Sequence, residues 1–307
     1  MNAVPATQTN VQAPQPAVQP PAQQLPGESS LLPGTNVLLE GPTGTGKTHS
    51  IGTLVDTGVE TFYLGLESGM ESLLGYWTDR GLPVPQNLRW HILKSSEGGL
   101  DSLIAGTKQI GELTQDSLYK LQDFNRASNN RFKDALSVLA NFKDQRTGAE
   151  FGSVHKWGPD KALVIDGLTG LGVMAMNMVI GNKPVRSQTD WGIAMDNLEK
   201  ALRMLCDYPM HFVLISHIER ETDLVQGGSK ITVSTLGVKL APKIPPMFSD
   251  VILAVRMGTT WTWSTASAQA DLKTRNLAIA ENLPPSFKPI IDKWMSRGGR
   301  MSAEVKK

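Results

Sequence analysis

An α/β fold with a mostly parallel sheet flanked by helices is the fold class that this sequence predicts. Short apolar runs of strand length recur along the chain, helical patterns lie between several of them, and a glycine-rich loop directly follows the first run. Strands that alternate with helices form right-handed crossovers and a parallel sheet, whose ligand site lies at the carboxyl ends of the strands. We therefore expect the chemistry of this protein at that edge of the sheet.

The predicted strands and the clearest helix follow from the spacing of apolar residues. The first strand, Asn36-Val-Leu-Leu-Glu40, is bounded by Pro33-Gly34 and Gly41. The helix starts near Asp190, a good N-cap residue, and places one apolar face at alternating spacings of four and three. That face consists of Trp191, Met195, Leu198, Leu202 and Leu205. The remaining predicted strands are Thr61 to Leu66, Trp90 to Leu93, Ala162 to Ile165, His211 to Ile215, Val251 to Val255 and the alternating segment Thr259 to Trp263.

The domain organisation is predicted from shifts in composition. Residues 1–30 contain six prolines, six glutamines and the single charged residue Glu28, which is typical of a disordered tail. Residues 31–290 are expected to form one domain, with a helical insertion at about 101–158 suggested by the spacing of Phe132, Leu136, Leu139 and Phe142. The Pro284-Pro285 pair and the basic end of the chain favour an irregular C-terminal tail at 291–307.

Composition and charge exclude several classes of protein. No apolar run approaches the roughly 20 residues that span a bilayer, so membrane insertion is not expected. The start of the chain lacks a secretory signal, and the single cysteine, Cys206, cannot form an internal disulfide, so we expect a cytoplasmic location. The five histidines show no paired metal-ligand spacing, which argues against a structural metal. A formal net charge of +1 means that any contact with nucleic acid must be local.

The loop after the first strand satisfies the eight-position phosphate-binding pattern known as the P-loop. A strand precedes it and a helix is predicted from Lys47 to Val55, which is the context that the motif requires. Its glycines let backbone N–H groups turn toward phosphate oxygens, Lys47 reaches the β and γ phosphates, and Thr48 is expected to ligate Mg²⁺. The motif predicts binding of ATP with Mg²⁺ through Gly41, Pro42, Thr43, Gly44, Thr45, Gly46, Lys47 and Thr48.

A second carboxylate-bearing strand has the pattern called Walker B. Ala162-Leu-Val-Ile-Asp166 delivers one aspartate to a strand end, where it can hold Mg²⁺ directly or through water. A buried strand that merely ends in a turn aspartate has the same pattern, and the upstream P-loop favours the metal role for Asp166. Gly167 follows at the position where an AAA+ ATPase normally has the glutamate that activates water.

Because that glutamate is missing, the general base must come from another strand. Glu67 ends the strand reached after the P-loop helix, and parallel strands would bring it to the same edge as Lys47 and Asp166. Glu71 is the competing candidate, and the alternative role for Glu67 is an exposed cap of the next helix. Ser216 or His217, at the end of a third strand, could sense the γ phosphate, although a histidine at a surface strand end has the same pattern.

These residues resemble the RecA-like phage ATPases, which include single-strand annealing proteins of the Sak type. The resemblance covers about Leu32 to Pro289 and rests on Tyr63-Leu-Gly-Leu-Glu67 and Val164-Ile-Asp-Gly167. It implies a RecA-like P-loop fold, ATP hydrolysis with Glu67 as the catalytic glutamate, and His217 at the position of a glutamine sensor. The histidine departs from the pattern of the family, but it can also donate a hydrogen bond to phosphate.

The resemblance also implies partners for the chain. Two loops, at about 177–189 and 219–238, would face single-stranded DNA through Lys183, Arg186, Arg220 and Lys230. Lys239 or Lys243 would reach the γ phosphate of a neighbouring subunit, which implies a homo-oligomer in the form of a ring or filament. Apart from the resemblance, the proline- and glutamine-rich tail is expected either to contact a single-strand-binding protein or only to keep the chain soluble, and its composition does not decide between the two. The implied role is DNA recombination, annealing, repair or replication in a phage.

Two other classes of function fit parts of the sequence. A protein-remodelling or helicase-loading ATPase of AAA+ type would use the same P-loop, but the glycine after Asp166 argues against it. A small-molecule kinase would need an acceptor site and an arginine-rich lid, and the sequence shows no obvious candidate for either.

Overall fold

The computed structural model describes residues 32–93, 104, 107, 108, 111, 112, 114, 130–181, 186–222 and 227–301. Predictions for the N-terminal tail, for Lys183 and for much of the 101–158 insertion lie outside these residues. The strands are β1 (Asn36–Glu40), β2 (Glu60–Gly65), β3 (Leu88–Ile92), β4 (Lys161–Asp166), β5 (His211–Ser216), β6 (Ile218–Thr222), β7 (Ser229–Val233), β8 (Asp250–Met257) and β9 (Thr260–Ser264). The α-helices are α1 (Lys47–Val55), α2 (Met70–Thr78), α3 (Arg131–Ala140), α4 (Leu168–Ile180), α5 (Gln188–Asp207) and α6 (Lys288–Ser296).

Seven strands form the central sheet in the order β3-β2-β4-β5-β1-β8-β9. All neighbouring pairs are parallel except β8 and β9, which form an antiparallel hairpin at one edge. Strand β5 lies between the strand that precedes the P-loop and the strand that ends in Asp166. The predicted α/β fold class, with a mostly parallel sheet flanked by helices, is confirmed.

Both faces of the sheet are buried at its centre, so β1, β4 and β5 are largely apolar rather than alternating. On β1, Leu38 points into the layer formed with α3, α4 and α5, whereas Val37 and Leu39 point into the layer formed with α1, α2 and α6. The strands stay in register to their ends, with Gly65 opposite Asp166 and Glu40 opposite Ser216. Polar residues that follow these strands therefore meet at one edge.

Two local predictions differ from the structure. Helix α5 begins at Gln188, and its N-cap is Ser187, whose side chain accepts a hydrogen bond from the amide of Asp190. Asp190 accepts a bond from the Ser187 amide in return, so it is the third residue of the helix in a capping box and the prediction of Asp190 as N-cap is wrong. An irregular tail was expected after residue 290, but α6 crosses this position and buries Ile291 and Trp294.

The side chain of Gln145 covers part of the β3 edge of the sheet, where it makes hydrogen bonds that a further strand would make. The amide group of Gln145 accepts a hydrogen bond from the Ile92 amide at 3.0 Å and donates one to the Ile92 carbonyl at 3.2 Å. The backbone of Gln145 donates to the Trp90 carbonyl, and Asp144 accepts from the Trp90 amide. These bonds satisfy edge groups that would otherwise be free to pair.

Among the described residues, no helix is long and apolar enough to cross a bilayer.

Candidate active site

The P-loop wraps around the first turn of α1 in the way that its motif predicts. Gly46 caps α1 with φ of 75°, a left-handed conformation that suits glycine. The side chain of Lys47 turns back into the loop and donates hydrogen bonds to the carbonyls of Gly41 at 2.7 Å and Pro42 at 2.8 Å. Burial lowers the pKa of Lys47 to about 8, while the nearby carboxylates of Asp166 and Glu67 act in the opposite direction. The lysine thus lies beside both predicted carboxylates.

Asp166 accepts two hydrogen bonds on the same oxygen. The hydroxyl of Thr48 donates to its Oδ2 at 2.6 Å and the hydroxyl of Tyr63 donates to it at 2.7 Å. Burial raises the pKa of Asp166, and the two hydroxyl donors oppose that shift. Burial and the adjacent aspartate also raise the pKa of Tyr63, which keeps the phenol in its donor form. The two residues predicted to hold a metal are therefore in direct contact.

The donor set suits Mg²⁺. A hydroxyl and a carboxylate lie together at the base of the P-loop, and Mg²⁺ is commonly bound by one or two such oxygens together with substrate phosphates and water. Among the described residues, no group of three or more histidine, cysteine, aspartate and glutamate side chains could hold a metal ion alone. A magnesium site here would be completed by the nucleotide.

Glu67 lies across the strand end from Asp166 and contacts two other elements. Its Oε1 accepts a hydrogen bond from the Gly170 amide at 3.1 Å, in the first turn of α4. Its Oε2 lies 3.2 Å from Nε2 of His217, the residue that follows β5. The side chains of Glu67 and His217 are 30% and 35% exposed, so both remain open to solvent and to a ligand. The structure thus brings Lys47, Asp166, Glu67 and His217 together.

Gly167 explains why no glutamate follows Asp166. Its φ is 127°, and a Cβ added there would lie 2.7 Å from Cγ of Glu67 and 2.8 Å from Oε1. Real Cβ contacts are not this short, so the space beside Asp166 is already filled by the glutamate from the neighbouring strand. A carboxylate thus reaches this edge from β2 instead of β4.

A pocket of about 450 Å³ lies over these residues. Part of its lining comes from the P-loop, Glu67, Asp166 and His217, and the rest comes from α2 and from Trp261 on β9. The competing base, Glu71, also lines the pocket but is exposed in the first turn of α2. The volume of the pocket is in the range of small-molecule binding sites.

Trp261 is a pocket residue that the sequence reasoning treated only as part of a strand. Its indole packs on the backbone of Gly46, where an added Cβ would lie 2.6 Å from ring atom Cδ2. The ring of His49 meets it edge-on, with centroids 5.0 Å apart. The indole therefore provides a flat apolar surface beside the N-terminus of α1. Its position in a β-hairpin could not be linked to the P-loop without the pairing of β1 with β8.

The predicted DNA-contacting residues do not line this pocket, in so far as the structure describes them. Arg186 is exposed, and its guanidinium lies 5.6 Å from the centroid of the Trp191 ring. Arg220 is exposed on β6. Lys230 lies on β7, where its Nζ is 3.1 Å from a carboxylate oxygen of Asp271. The hairpin of β6 and β7 begins directly after His217, so it is joined covalently to a residue that lines the pocket.

Comparisons with known proteins give one family match and several similar solved structures. A family model described as an AAA domain matches residues 34–278. The solved structures that resemble the chain include the RadB recombinase, with 15% identity, a TM-score of 0.36, and coverage of 82% of this chain and 86% of that one. No curated protein matches the chain.

Two other similar structures are secretion ATPases. A prototypical ATPase from the type III secretion system of pathogenic bacteria has 11% identity and a TM-score of 0.36, over 73% of this chain and 52% of that one. The assembled ATPase EscN from enteropathogenic E. coli has 12% identity and a TM-score of 0.35, over 73% and 43%. The chain thus spans about half the length of these two proteins, and at such scores their substrates and assemblies do not transfer to it.

Proposed function

The chain belongs to the AAA domain family and is an ATPase, and from this premise we propose that it hydrolyses MgATP and binds single-stranded DNA in recombination, annealing, repair or replication. The observation that carries the catalytic part is the meeting of Glu67 and His217 beside Lys47 and Asp166. A general base, a phosphate-binding cation, a metal-binding carboxylate and a hydrogen-bond donor are the parts that phosphoryl transfer to water requires.

Each side chain has a distinct task in the proposed reaction. Lys47 leaves the carbonyls of the P-loop and neutralises charge on the β and γ phosphates. Thr48 and Asp166 would hold Mg²⁺, which would neutralise charge on the phosphate oxygens. Glu67 orients the attacking water and accepts its proton, while His217 donates a hydrogen bond to the γ phosphate. Trp261 stacks on the base of the nucleotide.

The contact between Glu67 and His217 supports a link from hydrolysis to the hairpin of β6 and β7. If His217 turns to the γ phosphate, its contact with Glu67 changes, and His217 is joined directly to Ile218 at the start of β6. Loss of the phosphate would then release the hairpin, which is the proposed DNA-contacting element together with the loop that contains Lys183 and Arg186.

Charge on the hairpin sets the expected strength of DNA binding. Arg220 on β6 and Lys230 on β7 are balanced by Glu219 and Glu221, which both lie on β6, and Lys230 is paired with Asp271. Binding that releases few counterions depends weakly on salt. We therefore expect a slope of log affinity against log salt of about −2 for single-stranded DNA, reduced by about 1 in Arg220→Ala.

An oligomer is part of the proposal. Lys243 donates to Glu199 on α5 at 2.8 Å, and neither it nor Lys239 lines the pocket of its own subunit. A ring or filament would let one of these lysines reach the nucleotide of a neighbour. In that case turnover per subunit rises with protein concentration, whereas a constant rate would contradict the assembly.

The first test is ATP hydrolysis by the purified full-length chain with no DNA, single-stranded DNA or duplex DNA. Lys47→Ala should abolish turnover and thereby reports contaminating ATPases. Glu67→Gln should bind ATP normally and lose about 10²- to 10⁴-fold in turnover, because it keeps the size of the side chain but cannot accept a proton. Glu71→Gln tests the competing base. A large loss in Glu71→Gln with full activity in Glu67→Gln would overturn the assignment.

The AAA domain match also favours a second candidate, a protein-remodelling or helicase-loading ATPase. This function predicts that a protein partner stimulates hydrolysis and that single-stranded DNA does not. The comparison of DNA-free and DNA-containing reactions therefore separates the two candidates, since stimulation by single-stranded DNA alone is expected only for the first.

A further inference from the structure

Tyr63 is a buried polar residue for which the proposed reaction has so far no role. It lies in the middle of β2, is fully buried, and belongs to the apolar layer formed with α1 and α2. Its hydroxyl donates to Oδ2 of Asp166, which lines the pocket, at 2.7 Å. A phenylalanine would fill the same volume, so packing alone does not account for the hydroxyl.

From this contact we propose that Tyr63 is a positioning residue, which holds the carboxylate of Asp166 in the orientation that binds Mg²⁺. The proposal rests on the proposed function, because it assumes that Thr48 and Asp166 bind the metal of MgATP.

Thr48 and Tyr63 donate to the same oxygen but differ in what else they can do. The hydroxyl of Thr48 would also supply a lone pair to Mg²⁺, so its position would be shared between the metal and Asp166, to which it donates at 2.6 Å. The phenol of Tyr63 donates to Asp166 and has no metal to bind. Tyr63 is therefore the donor whose hydroxyl serves only to orient Asp166.

The surroundings of Tyr63 fix its hydroxyl in place. Strand β2 is paired on both sides, with β3 and β4, so its backbone cannot shift easily. A Cβ added at Gly69 would lie 3.2 Å from the Tyr63 hydroxyl and 3.2 Å from Oδ2 of Asp166, so the chain passes closely over the pair. A donor held on a rigid strand can orient a carboxylate that burial and the charge of Glu67 would otherwise disfavour.

The test is the Mg²⁺ dependence of nucleotide binding in Tyr63→Phe, with a fluorescent ADP analogue titrated in EDTA and at increasing Mg²⁺. We expect unchanged affinity in EDTA and an increase of about tenfold in the Mg²⁺ concentration that gives half of the metal-dependent gain in affinity. The effect should vanish when Tyr63→Phe is made in an Asp166→Asn background, because the pair acts as a unit.

Tyr76→Phe is the matched control. Tyr76 also donates to a carboxylate oxygen at 2.7 Å, on Asp56, but that pair lies on the outer surface of α1 and α2. The control should leave the Mg²⁺ titration unchanged. Thermal unfolding should put Tyr63→Phe within about 10 °C of the wild type, since one hydrogen bond to a carboxylate contributes about 1.5–3 kcal/mol.

Other outcomes overturn the proposal in distinguishable ways. An unchanged Mg²⁺ titration in Tyr63→Phe would remove the positioning role, and equal weakening with and without Mg²⁺ would show a general structural role. Failure of Tyr63→Phe to fold would also contradict it, because positioning requires only the hydroxyl. If the wild type binds nucleotide without any gain from Mg²⁺, the proposed function itself fails.

Discussion

One histidine begins strand β5 and another directly follows it, and the surroundings of the two differ. At the amino end, His211 is buried, its Nδ1 accepts a hydrogen bond from the Thr35 amide at 3.0 Å, and the Trp294 ring packs edge-on against it. Burial lowers the pKa of His211 to about 4. At the carboxyl end, His217 is partly exposed and faces Glu67. The same residue type is a structural element in one place and a candidate sensor in the other.

The comparison extends to the carboxylates. The amino end of the sheet is closed by the Trp294 indole, which donates to the Pro33 carbonyl. The carboxyl end has Glu40 directly before the P-loop and Asp166 in contact with Thr48, and burial and, to a lesser extent, the charge of Asp271 raise the pKa of Glu40 to about 7. Burial also raises the pKa of Asp166, so two acidic groups that are hard to ionise lie at the end that carries the P-loop, and such groups are typical of functional sites.

The largest expected difference comes from the same substitution at both ends. Gly167→Ala places a Cβ 2.7 Å from Glu67 Cγ and should displace the base, so turnover should fall about 100-fold while the protein stays folded. Gly34→Ala places a Cβ 2.4 Å from backbone atoms of Met210 and His211, so it should lower the free energy of unfolding by about 1–3 kcal/mol without changing turnover.

Steady-state hydrolysis and chemical denaturation of both variants check this contrast. The predicted contrast is wrong if Gly167→Ala lowers only stability and has normal turnover per folded molecule. It is also wrong if Gly34→Ala slows catalysis in the folded protein.

A smaller and opposite pair of effects is expected in the pH dependence of stability. The folded-state pKa of His211 lies below its usual value of 6.5, so its contribution to stability is present above pH 6.5 and is lost as the pH falls toward 4. The folded-state pKa of Glu40 lies above its usual 4.5, so its contribution is present below pH 4.5 and is lost as the pH rises through 7. Between pH 5 and 7 the two contributions should change by about 2 kcal/mol each and largely cancel.

Single substitutions should expose this cancellation. His211→Asn keeps an acceptor for the Thr35 amide and should make the protein about 2 kcal/mol more stable at pH 5 than at pH 7, whereas Glu40→Gln should do the reverse. Urea unfolding at the two pH values measures both. If the two variants have the same dependence on pH as the wild type, the ends of the sheet do not differ in the proposed way.

The smallest expected effect concerns the aromatic wall of the pocket. Trp261→Ala removes the flat surface next to Gly46 and should raise the KM for ATP about tenfold, which corresponds to about 1.4 kcal/mol of lost stacking. Trp261→Phe is the matched control, because it retains an aromatic face and should change KM by less than about threefold. Equal KM values for the wild type and Trp261→Ala would exclude a base-stacking role.

Most of the sheet could be predicted from the sequence because its strands are buried on both faces. The run Asn36–Glu40 is β1 as predicted, and Ala162 to Ile165 lies within β4. Helix α1 matches the predicted span from Lys47 to Val55, since the P-loop motif fixes where it begins. The meeting of Glu67 with Asp166 followed from the rule that parallel strands end at one edge.

Contacts that cross between elements could not be predicted in this way. Tyr63 occupies an apolar run, so its hydroxyl gave no signal of a bond to Asp166, 103 residues further along the chain. Helix α6 has apolar residues at helical spacing after Lys288-Pro289. The Pro284-Pro285 pair and the basic end of the chain favoured an irregular tail, so this helix was not predicted. The start of α5 was misplaced because Ser187 and Asp190 are both good capping residues and only their mutual bonds show which is first.

The hydrogen bonds of the Gln145 side chain at the edge of β3 also limit how copies of this protein can associate. Because Gln145 occupies hydrogen-bonding positions of Ile92, a second molecule cannot extend the sheet there by adding a strand. That protection guards against edge-to-edge aggregation during folding and storage. A ring or filament that used this edge would have to form through side chains rather than by pairing strands.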